Sequence, residues 1–219
     1  MQGTEKVTGI VLKAEPIGEY DRRLVILTGE KGKIAAFAKG SRRQNSRLLL
    51  ATNPFCFGIF TLFHGRSSYS ITEAEISNFF ALLRDDYEAA FYGMYFLELM
   101  DYYTREGNDE RNMLNLLYQS LKALGHPAYD KRLIRYIFEI KALILNGEYP
   151  GLPKRKEGVA EYSETTVFSL DYIEKTGIEK IFNFNVSDEA LAEIAEISDI
   201  FRLRFIDKPL KSLEYLGSL

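Results

Sequence analysis

The chain of 219 residues has one cysteine, two histidines, six prolines and no tryptophan. Cys56 alone closes no intramolecular disulfide, and it supplies no cysteine-rich zinc site, which needs about four clustered thiolate or imidazole ligands. A cytoplasmic protein is the simplest reading of that count. His64 precedes Gly65 in a turn and His126 sits in a Gly-His-Pro break, so neither has the setting of the base in a nucleophilic dyad or triad. Gly29 and Gly32 do not fit Gly-x-Gly-x-x-Gly, and Lys39-Gly40-Ser41 reverses the Walker order, which disfavours dinucleotide binding and ATP hydrolysis. The pairs Asp85 with Asp86 and Glu73 with Glu75 lack partner patterns and read as solvated faces. No catalytic residue and no enzymatic activity are expected.

Long apolar runs are missing as well. The longest uncharged stretch, Leu48 to Gly65, is interrupted by Asn53, Pro54, Gly58 and His64 and is rich in Phe and Ile, so it reads as buried strand rather than a membrane span. Met1 to Lys13 has no basic segment followed by an apolar one, and no cleaved signal peptide is expected.

What the chain does have is an uneven charge. The net charge of −3 divides into 11 Lys+Arg against 7 Asp+Glu over residues 1–80 and 17 against 24 over residues 81–219. Between Arg22 and Arg47 stand Arg22, Arg23, Lys31, Lys33, Lys39, Arg42, Arg43 and Arg47, with Glu30 the only acid among them. Such a cluster is either a solvated face or a phosphate-binding track.

The local patterns change where the charge does. Val7–Ala14, Arg23–Thr28, Lys33–Ala38, Phe55–Phe63 and Ser67–Ile76 read as strands, with Pro16 and Gly18, Gly29–Gly32, Lys39–Asn53 and His64–Arg66 between them. Several are apolar on both faces, and five short strands close best into a small barrel that leaves no edge. After Asn78 the period becomes helical. The spacing predicts helices over Phe79–Thr104, Glu110–Ala123, Asp130–Asn146 with Gly147 as C-cap, and from the N-cap Ser187 to Phe205. Pro209 breaks the last before a terminal piece, Leu210–Leu216. Glu148–Lys156 reads as a loop, Val159–Phe168 as a short hairpin, and Ser169 as the start of a helical turn. The expected fold is therefore α+β in two domains. Residues 1–77 would form a five-stranded OB-type β-barrel, and 78–219 a mainly helical domain with an irregular loop or hairpin insert near 148–168.

A basic OB barrel binds nucleic acid through cations on the phosphate track and flat side chains under the bases. Tyr20 and Tyr69 stand near the charged turns, Phe37 and Phe63 are further stackers, and Tyr69, in a polar run beside Arg66, is expected to be the exposed ring.

Gly9-Ile10-Val11-Leu12-Lys13, Gly18-Glu19-Tyr20-Asp21-Arg22-Arg23-Leu24-Val25 and Gly32-Lys33-Ile34-Ala35-Ala36-Phe37-Ala38-Lys39-Gly40-Ser41-Arg42-Arg43 resemble the N-terminal barrel of the bacterial DNA-repair family RecO. Arg204-Phe205 followed by Lys208-Pro209-Leu210-Lys211-Ser212-Leu213 resembles that family's ending, so the likeness spans nearly the whole chain. It implies an OB domain joined to a helical one, no catalytic residues, and a recombination mediator in the cytoplasm, associated with the nucleoid. Such a mediator binds single- and double-stranded DNA, anneals complementary strands, contacts the single-stranded-DNA-binding protein and helps RecR load RecA at gaps. Carried over, the DNA-contact candidates are Arg22, Arg23, Lys33, Lys39, Arg42, Arg43 and Arg47, to which charge and exposure add Arg66 and Tyr69. Many members hold zinc on four cysteines after the third helix, at about Glu148–Phe168 here. This chain has none there, so no metal or other cofactor is expected, and packing of Tyr149, Leu152, Tyr162 and Phe168 would have to hold the loop. The acidic, apolar-ended tail of the single-stranded-DNA-binding protein would need an apolar groove beside a cation, for which Lys131, Arg132 and Arg135 next to Leu133 and Tyr136 are candidates. Two other readings stay open: a protein-interaction adaptor whose barrel is merely basic, and an RNA-binding OB protein.

Overall fold

In the computed structural model, residues 3–65, 68–155, 158 and 160–216 are described. Five strands form a closed barrel: β1 (Thr4–Ile17), β2 (Asp21–Thr28), β3 (Gly32–Ala38), β4 (Phe57–His64) and β5 (Tyr69–Asn78), in the order β1-β2-β3-β5-β4. The long β1 makes closure possible. Its first half, Thr4–Ile10, pairs antiparallel with β4, its second half, Gly9–Ile17, with β2, and the register shifts between Val11 and Lys13. A short parallel contact, Ala36 with Tyr69 and Phe37 with Ser70, joins β3 to β5.

The two-sided apolarity of β1 and β2 has a structural cause. Val7, Val11, Leu24 and Ile26 fill the barrel with Phe60, Leu62 and Ile71. Ile10, Leu12 and Leu27 point the other way and pack with Tyr95, Phe96, Met100 and Leu117 of the helices. Strands buried on both faces read as continuous apolar runs. The barrel is therefore fused to the helices through one flank.

The helices are α1 (Tyr87–Tyr103), α2 (Arg111–Leu124), α3 (Lys131–Leu145), α4 (Glu164–Lys175), α5 (Asp188–Phe205) and α6 (Lys211–Leu216). Asp86, Asp130, Ser163 and Ser187 cap α1, α3, α4 and α5 by accepting backbone N–H bonds. Two expectations need correction. The first helix does not begin at Phe79: Asn78 Oδ1 accepts the Phe80 N–H, Phe80 is left-handed at φ 47°, and only a 3-10 turn, Ala81–Arg84, precedes α1. Nor is there a hairpin ending at Phe168. The Ser163 side chain, which accepts the Thr166 N–H, starts α4 at Glu164, and the described residues of the insert near 148–168 are loop followed by helix. At the far end of α4 the buried Lys141 donates its ammonium to the carbonyls of Ile173, Glu174 and Thr176.

The loop before α4 is held only partly as expected. Tyr162 is buried and Tyr149 packs edge-on against Phe201 with ring centres 5.6 Å apart, but Leu152 and Phe168 are exposed. Arg155 supplies the missing fastening. Its guanidinium lies 4.0 Å from the Tyr162 ring centre, donates to the Ala160 carbonyl, and pairs with Glu193 at 3.2 Å and Glu196 at 3.0 Å.

Where barrel meets helices, the β2–β3 turn is stitched to the segment before α2. The Glu110 N–H donates to Gly29 O, Gly107 N–H to Lys31 O, and Lys33 N–H to Arg105 O. Gly32, at φ +65°, is required here, because a Cβ would stand 2.0 Å from the Arg105 carbonyl oxygen.

Candidate nucleic-acid interface

Strand register divides the basic residues between two ends of the barrel. Arg22 is opposite Ala38 and Arg23 opposite Phe37, whereas Lys33 is opposite Leu27. At a rise of ~3.4 Å per residue, Lys33 lies about 17 Å along β3 from Ala38. Arg22, Arg23, Lys39, Arg42, Arg43 and Arg47 thus belong to the end built by the β1–β2 turn and the long β3–β4 loop. Lys31 and Lys33 belong to the end that meets the helices.

At the free end, backbone and side-chain bonds tie the turn to the loop. The Arg42 N–H donates to Tyr20 O at 2.9 Å, and the Arg42 guanidinium to Gly18 O at 3.2 Å. The Gly40 N–H donates to Asp21 Oδ1 at 2.7 Å. Arg22, half-buried, donates to Leu49 O and to Thr52 Oγ1, so it fastens the loop down rather than projecting from it. Arg23 faces Glu15 at 3.4 Å, with both side chains well solvated, an arrangement that adds little stability and leaves the arginine available. Lys39, Arg42, Arg43 and Arg47 are exposed and form no ion pair with another described residue. The result is a basic rim on which Lys39, Arg42, Arg43 and Arg47 have no carboxylate partner among the described residues.

Lys33 is placed elsewhere. Its ammonium pairs with Asp101 of α1 at 3.0 Å and also donates to the Asp101 backbone carbonyl, while Lys13 reaches the same carboxylate at 2.7 Å. Burial by itself would raise the Asp101 pKa, but the bonds from Lys13 and Lys33 hold it below the usual carboxylate range. Lys31 likewise pairs with Glu5 at 3.1 Å, and that bond raises its pKa. Tyr69 is not the exposed ring. It is half-buried against the barrel core, edge-on to His64 with centroids 5.1 Å apart, and 6.0 Å from the Lys31 ammonium. Phe37 and Phe63 are half-buried too. Arg66 lies outside the described residues.

The cations suggested for tail docking already have partners. Lys131 bridges Asp86 at 3.0 Å and Glu88 at 3.1 Å, and Arg132 doubles back on Asp130 at 2.7 Å. Arg135 is largely buried, donating to Glu139 at 2.7 Å, while Glu139 also accepts from the Tyr95 and Ser198 hydroxyls. That network joins α1, α3 and α5 and reads as core scaffolding. The sequence showed the basic residues here but not the carboxylates that return to meet them.

One contributor at the free end was not singled out by sequence reasoning. Tyr20, named only as one stacker among several, is 43% exposed with the Arg43 guanidinium 5.1 Å from its ring centre.

Among the described residues, no cluster of three or more His, Cys, Asp and Glu side chains is arranged to hold a metal. Residues 148–168 contain neither cysteine nor histidine, so they do not offer the donor set of a structural zinc site. No described helix is long and apolar enough to cross a membrane.

Comparison with known proteins gives two family matches in tandem, Recombination protein O N terminal over residues 1–80 and Recombination protein O C terminal over residues 84–154. Among curated relatives, the DNA repair protein RecO of Alkaliphilus metalliredigens is 36% identical over 172 residues, covering 78% of this chain and 68% of that protein. RecO of Clostridium acetobutylicum is 30% identical over 238 residues, covering 97% and 96%. RecO of Bacillus pumilus is 32% identical over 163 residues, covering 72% and 63%.

Proposed function

The chain belongs to the RecO family of DNA repair proteins, and from that premise we propose that it is a non-enzymatic recombination mediator that holds DNA on the free end of its barrel. It binds single- and double-stranded DNA, anneals complementary strands, and helps RecR load RecA at gaps coated by the single-stranded-DNA-binding protein. It does so without zinc or any other cofactor.

The observation that carries this reading is that Lys39, Arg42, Arg43 and Arg47, on a loop tied to the β1–β2 turn, form no ion pair with any described residue. A cation already bonded to a carboxylate gains little from a phosphate, whereas an unpaired one displaces a condensed counterion from the DNA. Two strands held along such a rim have their mutual repulsion screened, which favours annealing without bond chemistry. In the helical domain Lys131, Arg132 and Arg135 are internally paired, so the strand path follows the barrel.

Fluorescence anisotropy of a labelled single strand, at low and moderate salt, tests the reading with the Lys39→Ala, Arg42→Ala, Arg43→Ala triple variant. The wild type should lose about 0.7 log unit of affinity per contacted phosphate per tenfold salt, and the variant should show a slope shallower by roughly 2. Equal slopes in both proteins would place DNA elsewhere. No binding at low salt would favour an adaptor.

A further inference from the structure

The barrel aromatics differ sharply in what they offer a ligand. Phe60 is enclosed, Tyr69, Phe37 and Phe63 are half-buried, and Tyr20 stands 43% exposed at the tip of the β1–β2 turn. That tip is held on three counts: the Tyr20 carbonyl accepts the Arg42 N–H, the next residue's carboxylate accepts the Gly40 N–H, and the Arg42 guanidinium reaches Gly18 O. The Arg43 guanidinium is stacked over the ring at 5.1 Å. Ile17, 39% exposed and paired in register with Asp21, flanks the turn on its strand side.

We propose that Tyr20, backed by Arg43, is a stacking platform for an unpaired nucleobase, so that this rim selects single-stranded over double-stranded DNA. The inference rests on the proposed DNA binding and adds to it a residue that reads base faces rather than phosphates. Phosphate contacts are available from either form of DNA, and the exposed cations by themselves do not distinguish them. In a duplex the faces of internal bases are covered by their neighbours. An unpaired base can slide its face against an exposed ring, and such stacking is sequence-tolerant. With one ring face occupied by the guanidinium, the other is the place for the base, while Lys39 and Arg42 stand on the adjoining loop to receive the flanking phosphates. The turn is already ordered by its bonds to the loop, so little freedom is lost when a base docks.

The chain contains no tryptophan, so Tyr20→Trp introduces a single indole reporter at the platform. Its fluorescence should be quenched by an unlabelled single strand and left nearly unchanged by a blunt duplex of equal length. Tyr20→Ala should weaken single-strand affinity by about tenfold while leaving duplex affinity within about twofold, and Tyr20→Phe should retain wild-type affinity for both. Circular dichroism melting checks that each variant is folded. Absence of quenching, or an equal loss on both forms of DNA, overturns the platform and leaves phosphate binding standing. If the wild type binds neither form at low salt, the DNA-binding reading falls and the platform with it.

Discussion

The two ends of the barrel are both rich in cations and use them in opposite ways. At the end that meets the helices, Lys13 and Lys33 converge on Asp101, Lys31 pairs with Glu5, and Arg111 folds onto Asp109. At the free end Lys39, Arg42, Arg43 and Arg47 have no carboxylate partner among the described residues. A count of basic residues treats the two ends alike. What separates them is whether an acid arrives from elsewhere in the chain, because a neutralised cation has lost most of its attraction for phosphate. One end fastens the barrel to the helices, and the other leaves its loop cations without a carboxylate among the described residues.

That contrast can be broken experimentally, beginning with the junction. Gly32→Ala puts a methyl group against the Arg105 carbonyl in a left-handed conformation, and unfolding in urea should show a loss of about 3 kcal/mol or more. A loss under about 1 kcal/mol would mean that the β2–β3 turn is not fastened to the helices.

Asp101→Ala leaves two lysines facing each other at a partly buried site and should cost about 1–2 kcal/mol in the same measurement. The same carboxyl predicts a pH dependence. Its folded-state pKa lies below the unfolded value of about 3.9, so its contribution is present above that pH and is lost as pH falls through the folded value. Wild type should therefore lose stability on acidification below about pH 4 more steeply than an Asp101→Asn variant. Parallel curves would remove Asp101 from the junction's account.

At the free end the effects should fall on binding. The Lys39, Arg42, Arg43 triple alanine variant should lose about tenfold or more in single-strand affinity at low salt, with its unfolding free energy within about 1 kcal/mol of wild type. A large stability loss would show that these residues hold the loop instead. Smallest of all, Gly18→Ala meets no atom within 4 Å, and only its φ of +56° opposes it. A loss of about 1 kcal/mol is expected, and comparison with Gly32→Ala isolates the role of the crowded junction.

Much of the fold was legible in the sequence because burial imposes a period. β2 could be recognised from Leu24, Val25, Ile26 and Leu27, and α3 from Leu133, Ile137, Ile140 and Ile144. The misses have local causes. Phe79 and Phe80 continue the apolar helical pattern, yet Phe80 takes a left-handed backbone that delays α1 to Tyr87. The stretch before Phe168 has strand-like β-branched residues, but Ser163 supplies an N-cap that turns it into α4. In the candidate site the basic cluster was visible as composition, while the assignment of Lys33, Tyr69, Lys131 and Arg135 to working positions was not. Each meets a partner far along the chain: Asp101 for Lys33, Asp86 for Lys131, the Tyr95–Glu139–Ser198 network for Arg135, and the barrel core for Tyr69.

By itself the sequence determined the five strands, most of the helical frame, the family likeness and the placing of positive charge in the first 80 residues. These follow from periodicity, from turn and cap chemistry, and from residue identity, all of which act over a few positions. Only the tertiary structure decided which cations are neutralised, which face of β2 lines the barrel, and which aromatic ring reaches solvent. Those outcomes depend on Coulomb and packing contacts between segments distant in sequence, which closure of the barrel and its seating on the helices bring together.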